Sequence, residues 1–393
     1  VNDGTRIGDR LKRLRGDRGL TQEELAEASG VSRDLISMLE RGARTSARLS
    51  TVSALAHALD VEVSELVDRR DHLKGDRDGG SVLAVRDVLL NAALLPGIDA
   101  DDSGEPTPVE QLEQQRQAGW DYYWAGRFGE LLALLPGLIG EARITHASLG
   151  APAVLPLASA YDLAANLMVQ IGRTDLGAVA AERAITVAHE GDDPLLWAVL
   201  HSSYARVLLF QDRHEEAETL AAGMAQRVEP SFRGDDLEIG VWGNLLLTTI
   251  APAVARDRDP DEYLRLAAAG AARLGRPVQV YHHSRFSPAL VAMQSTYGYS
   301  TLRKPGKALD AARSIRPGDL TGISWGAHLM DVAHAQLDAG HRQTAVRHLL
   351  DARSVSEVWF RHQRVARDAV TEIREQERRL TPELKSLARS LDL

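Results

Sequence analysis

Apolar positions recur with helical period along most of the chain. In residues 6–18, Ile7, Leu11 and Leu14 share one face of a helix. Residues 21–42, TQEELAEASGVSRDLISMLERG, place Leu25, Val31, Ile36 and Leu39 where two short helices joined by a tight turn bury them together. Residues 49–59 and 64–67 read as two further helices. The pattern stops at residues 69–80, RRDHLKGDRDGG, a charged linker, and resumes at 82–95, VLAVRDVLLNAALL, an apolar helix suited to packing on the next domain or a second subunit. Residues 96–108, with three prolines and four acids, read as a loop. A long succession of helices then runs from about residue 110, and Pro382 opens a terminal capping helix over 382–391. The expectation is an all-α chain with a domain at 1–70, a linker at 71–108 containing one helix, and a larger helical domain at 109–393.

The turn chemistry of residues 21–42 sharpens this. Thr21 caps the first short helix, with Glu24 as the return half of a capping box. Ala26 is small where the two helices cross, Gly30 supplies the positive φ of the sharp turn, and Ser32 caps the second helix. Arg33, Asp34, Ser37 and Met38 fall on that helix's outer side. This is the sequence form of a helix-turn-helix, whose second helix enters the DNA major groove.

The stretch resembles the Cro/phage-repressor (Xre) class of helix-turn-helix over about residues 5–68, as a five-helix domain. The small residue, the glycine, the apolar positions and Glu40-Arg41-Gly42 fall at that family's spacing. The resemblance implies an ion pair between Arg15 and Glu40, a phosphate contact by Gln22, and dimers on half-sites of double-stranded DNA about 34 Å apart. Ser32, Arg33, Asp34, Ser37 and Met38 would face the bases. Arg33 can bond bidentately to guanine, Asp34 can accept from cytosine or orient Arg33, and Met38 can touch a thymine methyl. Arg41, Arg44 and Arg48 in the following loop suit a phosphate clamp. The alternative is a small helical bundle with a solvated charged loop and no DNA contact.

The larger region carries an internal repeat. Residues 172–177 align with 212–217, with Ala165 and Ala205 at one offset before and Ala181 and Ala221 at one offset after; residues 340–345 repeat the pattern between Ala333 and Ala352. Weaker copies centre on Gly126, Arg258 and Arg303. Small residues beside a recurring turn let paired helices approach closely, and the region resembles a tetratricopeptide-like (TPR) α-solenoid over about residues 110–378. The spacings, 37 to 46 residues, exceed the standard repeat and predict longer helices or loops. An irregular helical bundle is the alternative. The repeat register sets Arg116, Trp120, Tyr123, Asp162, Asn166, Ser202, Arg206, Thr248, Met293, Tyr297, Met330 and His334 on a concave surface, where they would contact a peptide or small-molecule effector; for each aromatic, packing between repeats is the competing role.

Composition narrows the options. The chain has 393 residues, is 44% apolar and only 5% aromatic, and so suits a helical globular protein. With no cysteine there is no disulfide, thiolate nucleophile or cysteine metal site. Neither a signal peptide nor a bilayer-length apolar run is visible, which points to the cytoplasm and away from a membrane partner. The net charge of −9 looks wrong for a DNA binder, but residues 1–70 hold 12 Lys+Arg against 12 Asp+Glu, and the excess of acid lies in the 34 against 43 of the remainder. No phosphate loop, dinucleotide turn or nucleophile elbow occurs, and the thirteen histidines show no metal-ligand spacing, so no enzyme, cofactor or metal is expected. Residues 281–286, YHHSRF, are a polar-aromatic cluster ahead of Pro288 and a candidate ligand contact.

Two readings remain. Xre regulators with TPR-like regions include Gram-positive peptide-sensing quorum regulators and actinobacterial regulators, so the resemblance implies a homodimeric, ligand-responsive transcription factor. The rival is an adaptor whose groove holds a partner protein while the helix-turn-helix tethers it to DNA.

Overall fold

The computed structural model describes residues 7–42, 49–59, 61, 82–91, 105–281, 284–320, 322–376 and 380–393. The chain divides into two compact units, Val1–Asp78 and Gly79–Leu393.

The first unit contains α1 (Ile7–Asp17), α2 (Gln22–Ser29), α3 (Arg33–Glu40) and α4 (Leu49–Ala58). Leu11, Leu14, Leu25, Val31, Ile36, Leu39, Leu55 and Leu59 form its core. The Thr21 hydroxyl accepts the Glu24 N–H, and the Glu24 carboxylate accepts the Thr21 N–H at 2.7 Å, closing the capping box. Gly30, at φ 68°, ends α2, and Ser32 caps α3. A Cβ at Gly8 would come within 1.8 Å of the Leu39 carbonyl oxygen, so α1 and α3 meet backbone to side-chain-free backbone. The helix expected at 64–67, and Arg44 and Arg48, lie outside the described residues.

The second unit opens with α5 (Val82–Leu89), whose Val85 and Leu89 are buried against the helices that follow. Six helix pairs then succeed one another: α6 (Val109–Trp124) with α7 (Phe128–Leu149), α8 (Val154–Gln170) with α9 (Thr174–His189), and α10 (Pro194–Phe210) with α11 (His214–Arg227). The fourth pair is α12 (Asp236–Thr248), continued by α13 (Ile250–Ala255), with α14 (Asp261–Leu274); the fifth is α15 (Pro288–Thr301) with α16 (Pro305–Ala312), and the sixth α17 (Gly322–Asp338) with α18 (Arg342–Val355). Short α19 (Glu357–Arg361), α20 (Arg364–Gln376) and a final α21 (Pro382–Ser390), capped by Thr381, complete the unit. This is a TPR-like array.

One turn recurs in every pair. The first helix ends on a residue in the left-handed region: Gly126, Gly172, Asp212, Asp257, Arg303 and Gly340, with φ between 55° and 82°. Each time that residue's N–H bonds three residues back and the next N–H bonds five back, as in Gly172 to Val169 and Arg173 to Met168, satisfying carbonyls the helix end would orphan. In five pairs the second helix starts two residues later, and after Asp257 it starts at Asp261. Where the residue is not glycine, the conformation costs about 1 kcal/mol. Ala165, Ala181, Ala205, Ala221, Ala333 and Ala352 are buried where the paired helices approach.

The unit is all-α apart from one short element: Val278–Val280 (β1) and Ser284–Phe286 (β2) form an antiparallel hairpin. It packs on α12, where Gly243 leaves room for the buried Phe286 ring. Two helical stretches, Ala151–Gln170 and Asp236–Ala255, are apolar and long enough to cross a bilayer, but they are buried in the array; their small residues kept each from reading as one apolar run. The array also comes round on itself. The Ser356 hydroxyl donates to the Gly126 carbonyl at 2.9 Å, the Gln363 amide donates to the Gln170 side chain at 3.3 Å, and Gly322 is pressed against the Trp124 carbonyl.

His328 of α17 is buried beside the Trp325 ring, 5.6 Å away, and its Nδ1 has no hydrogen-bond partner among the described residues. Burial, then the charge of His348, pushes its pKa down from 6.5 to about 4.

Two outcomes follow from these local conformations. Gly340→Ala, at a site where a Cβ meets no atom, should cost about 1 kcal/mol through backbone strain alone, measured by denaturant unfolding. Because His328 binds its proton more weakly when folded, its contribution is complete above pH 6.5 and is lost as pH falls towards 4. The second unit should lose about 2 kcal/mol by pH 5, and His328→Phe should reduce that loss. Tryptophan fluorescence reads this unit alone, since all six tryptophans lie in it.

Candidate nucleic-acid interface and effector surface

The outer face of α3 is held from behind by one network. Glu40, whose side chain is 3% exposed, accepts Arg15 Nε at 2.7 Å, Arg15 Nη2 at 3.0 Å and Gln22 Nε2 at 2.6 Å. Arg15 Nη1 also donates to the Leu20 carbonyl at 2.7 Å, so the end of α3 is tied to α1 and to the start of α2. Burial pushes the Glu40 carboxyl up, but the Arg15 and Gln22 hydrogen bonds and the charges of Arg15 and Lys12 outweigh it and hold it below its ordinary value. The implied Arg15–Glu40 pair is therefore present. Gln22, assigned to phosphate by the resemblance, has its amide on Glu40.

In front of this network Ser32, Arg33, Asp34 and Arg41 are exposed, and Ser37 and Met38 are half-buried. The offsets 33, 34, 37 and 38 put these side chains on one helical face. Arg33, 61% exposed, pairs with Glu23 of α2 at 3.0 Å, a partner the sequence pattern did not single out. Arg41 Nε donates to the Ser37 carbonyl at 3.2 Å. The arrangement can present one guanidinium, one carboxylate, a hydroxyl and a thioether to a base-pair edge.

The twelve residues assigned to the concave surface do not stay together. Arg116, Trp120, Tyr123, Asp162, Asn166, Ser202 and Met330 are buried, and their expected role as groove lining is corrected. Trp120 Nε1 donates to Ser159 Oγ at 3.1 Å, and Arg116 reaches the same hydroxyl at 3.5 Å and pairs with Glu113. Asn166 Nδ2 bonds Asp162 and, at 3.0 Å, Ser203 Oγ, which donates in turn to Asp162. These groups join α6 to α8 and α8 to α10: first helices lie side by side, and their inward polar residues bond one another. Tyr123 packs with Trp120, Trp124 and Phe128.

Arg206, Thr248, Met293, Tyr297 and His334 remain half-buried. Around Tyr297 a polar patch survives. His334 Nδ1 lies 3.0 Å from Ser300 Oγ, and Arg364 and Asp368 of α20 form a 3.6 Å pair facing it. Burial and the nearby Asp331 push Tyr297 up to about 12, and burial holds Asp331 well above the usual carboxylate range. Of residues 281–286, Tyr281 donates to Asp193 at 2.6 Å and Phe286 is core, so both are taken up by the fold; His282 and His283 lie outside the described residues. Among the described residues no group of three His, Asp or Glu side chains is placed to hold a metal ion.

Removing the Glu40 carboxylate leaves Arg15 and Gln22 facing a near-buried gap. Glu40→Ala should destabilise the first unit by about 3 kcal/mol, read as faster amide hydrogen exchange over residues 11–40 with that of α6–α18 unchanged.

Comparison with known proteins gives relatives of the first unit and a distant structural neighbour. A helix-turn-helix family model matches residues 11–66. The HTH-type transcriptional regulator SinR of Bacillus licheniformis is 33% identical over 111 residues, covering 28% of this chain and 97% of SinR. The HTH-type transcriptional regulator y4dJ of Sinorhizobium fredii is 45% identical over 65 residues, 16% of this chain and 83% of that protein. The crystal structure of PlcR of Bacillus thuringiensis in complex with the peptide PapR7 and DNA aligns with a TM-score of 0.30 at 14% identity, over 69% of this chain and 95% of that one. The chain belongs to the Xre-type helix-turn-helix family of DNA-binding transcriptional regulators, and carries a TPR-like array behind its helix-turn-helix.

Proposed function

We propose that the protein is a homodimeric, effector-responsive regulator working on a double-stranded operator in the cytoplasm. The observation that carries this reading is the open outer face of α3, backed by the Arg15–Glu40–Gln22 network. A rigid backing holds Arg33, Asp34, Ser37 and Met38 in fixed relation, which base readout requires. Arg41, Arg44 and Arg48 bind phosphates and set register without reading sequence. Glu23 holds Arg33 extended until a guanine competes for it.

The effector, a peptide or small molecule, binds the array on its half-open residues Arg206, Thr248, Met293, Tyr297 and His334. It acts by favouring one separation of the two reading heads; it shifts the equilibrium only by the difference in its affinity for the two arrangements.

The test is binding to an operator selected from random duplexes. Arg33→Ala should relax base preference at one position, by about 1–3 kcal/mol of discrimination, while Arg44→Ala should weaken all duplexes alike and lower the salt slope by about one. Inserting half a helical turn between the half-sites should abolish tight binding. Unchanged preference in Arg33→Ala would remove the base-reading role.

A further inference from the structure

A second surface of the array has a chemistry of its own. A cleft of about 420 Å³ opens between α7, α8 and α9. That volume suits a small organic ligand. Leu157 forms its buried floor and Val179 and Val187 its flank. Two arginines enter it. Arg143 is only 8% exposed. The Nε of Arg183 is buried without a hydrogen-bond partner, and its guanidinium makes no ion pair among the described residues.

The carboxylates of the rim are already engaged. Glu182 accepts the Tyr204 hydroxyl at 3.0 Å, and Glu190 lies 3.5 Å from His146 Nε2. A buried N–H of a charged group left unmade is costly, and the ligand that relieves it is an anion. The Nε edge of a guanidinium matches the two oxygens of a carboxylate. The apolar floor and flank ask for a hydrocarbon body on that carboxylate.

We propose that this cleft binds a small apolar carboxylic acid, its carboxylate on Arg183 and its hydrocarbon part on Leu157, Val179 and Val187. The assignment does not rest on the operator reading. It has a structural consequence all the same: α5, the described helix of the second unit nearest in sequence to the helix-turn-helix, packs on α7 and α9, the two walls of the cleft.

The probe is octanoate, titrated calorimetrically into the full chain against octan-1-ol, with hydrogen exchange to locate the site. One octanoate should bind per chain, with octan-1-ol about ten-fold weaker or worse, and with protection confined to residues 82–89 and 143–190. Arg183→Gln should weaken octanoate about ten-fold, and Glu182→Gln, which removes a rim charge without touching Arg183, should tighten it. Tri-leucine with a free or an amidated C-terminus separates the sources of carboxylate. Free-acid preference with tighter binding than octanoate assigns the cleft to a peptide end, and the reverse order to a free acid. Equal affinity of Arg183→Gln and the parent chain, equal affinity for octan-1-ol, protection elsewhere, or no saturable binding of either acid overturns the proposal.

Discussion

A helix can end in many ways, but in this array each first helix ends with one residue in the left-handed region, and in five of the six pairs the next helix begins two residues later. That constraint sets the rest of the second unit. With a connection of only three residues in five of the six pairs, the partner helix must fold straight back, so small side chains are needed where the two meet, and Ala165, Ala205 and Ala333 supply them. Only after the pairs are fixed can their first helices lie side by side. The Asp162–Asn166–Ser203 and Trp120–Ser159 bonds then set the spacing from pair to pair. The same turn tolerates Asp212, Asp257 and Arg303 because a strain of about 1 kcal/mol is small beside the burial it permits.

The first unit relies on a different device. The orientation of α3 is held by charge as well as by packing. Glu40 gathers three donors from α1 and α2. A nearly buried carboxylate of this kind contributes less to net stability than to specificity of arrangement, since an apolar contact could replace the energy but not the direction. Direction is what a reading helix needs.

Much of this was legible in the amino-acid sequence, for physical reasons that also mark where legibility stops. Thr21, Glu24, Gly30 and Ser32 act on their own neighbours, so their chemistry is local and readable. The repeat was readable because Gly172 and Gly340 require a conformation few residues tolerate. Arg258 was placed one residue past the true left-handed position, Asp257, since an exposed turn residue leaves little compositional trace. Helical period showed that Arg116, Asp162, Asn166 and Ser202 point inward. It could not show that the next helix covers them, because inward polar residues look the same whether they meet solvent or each other. The Arg33–Glu23 pair crosses the turn between two helices, and the bond from Ser356 to Gly126 spans 230 residues; neither leaves a periodic signal. The hairpin at 278–286 has three-residue strands, too short to impose alternation.

That last long-range bond changes what sort of object the array is. Stacked repeats ordinarily form an open series in which each unit knows only its neighbours, and copies can be gained or lost at little cost. Here the hydroxyl capping α19 also grips the first turn, and Gln363 touches the end of the second pair's first helix. The number of pairs is thereby fixed: a duplicated or deleted pair would carry Ser356 away from Gly126. Surface residues and loop lengths can change without breaking this closure but the repeat count cannot, and disturbance at Ser356 reaches the first pair without passing through the four between.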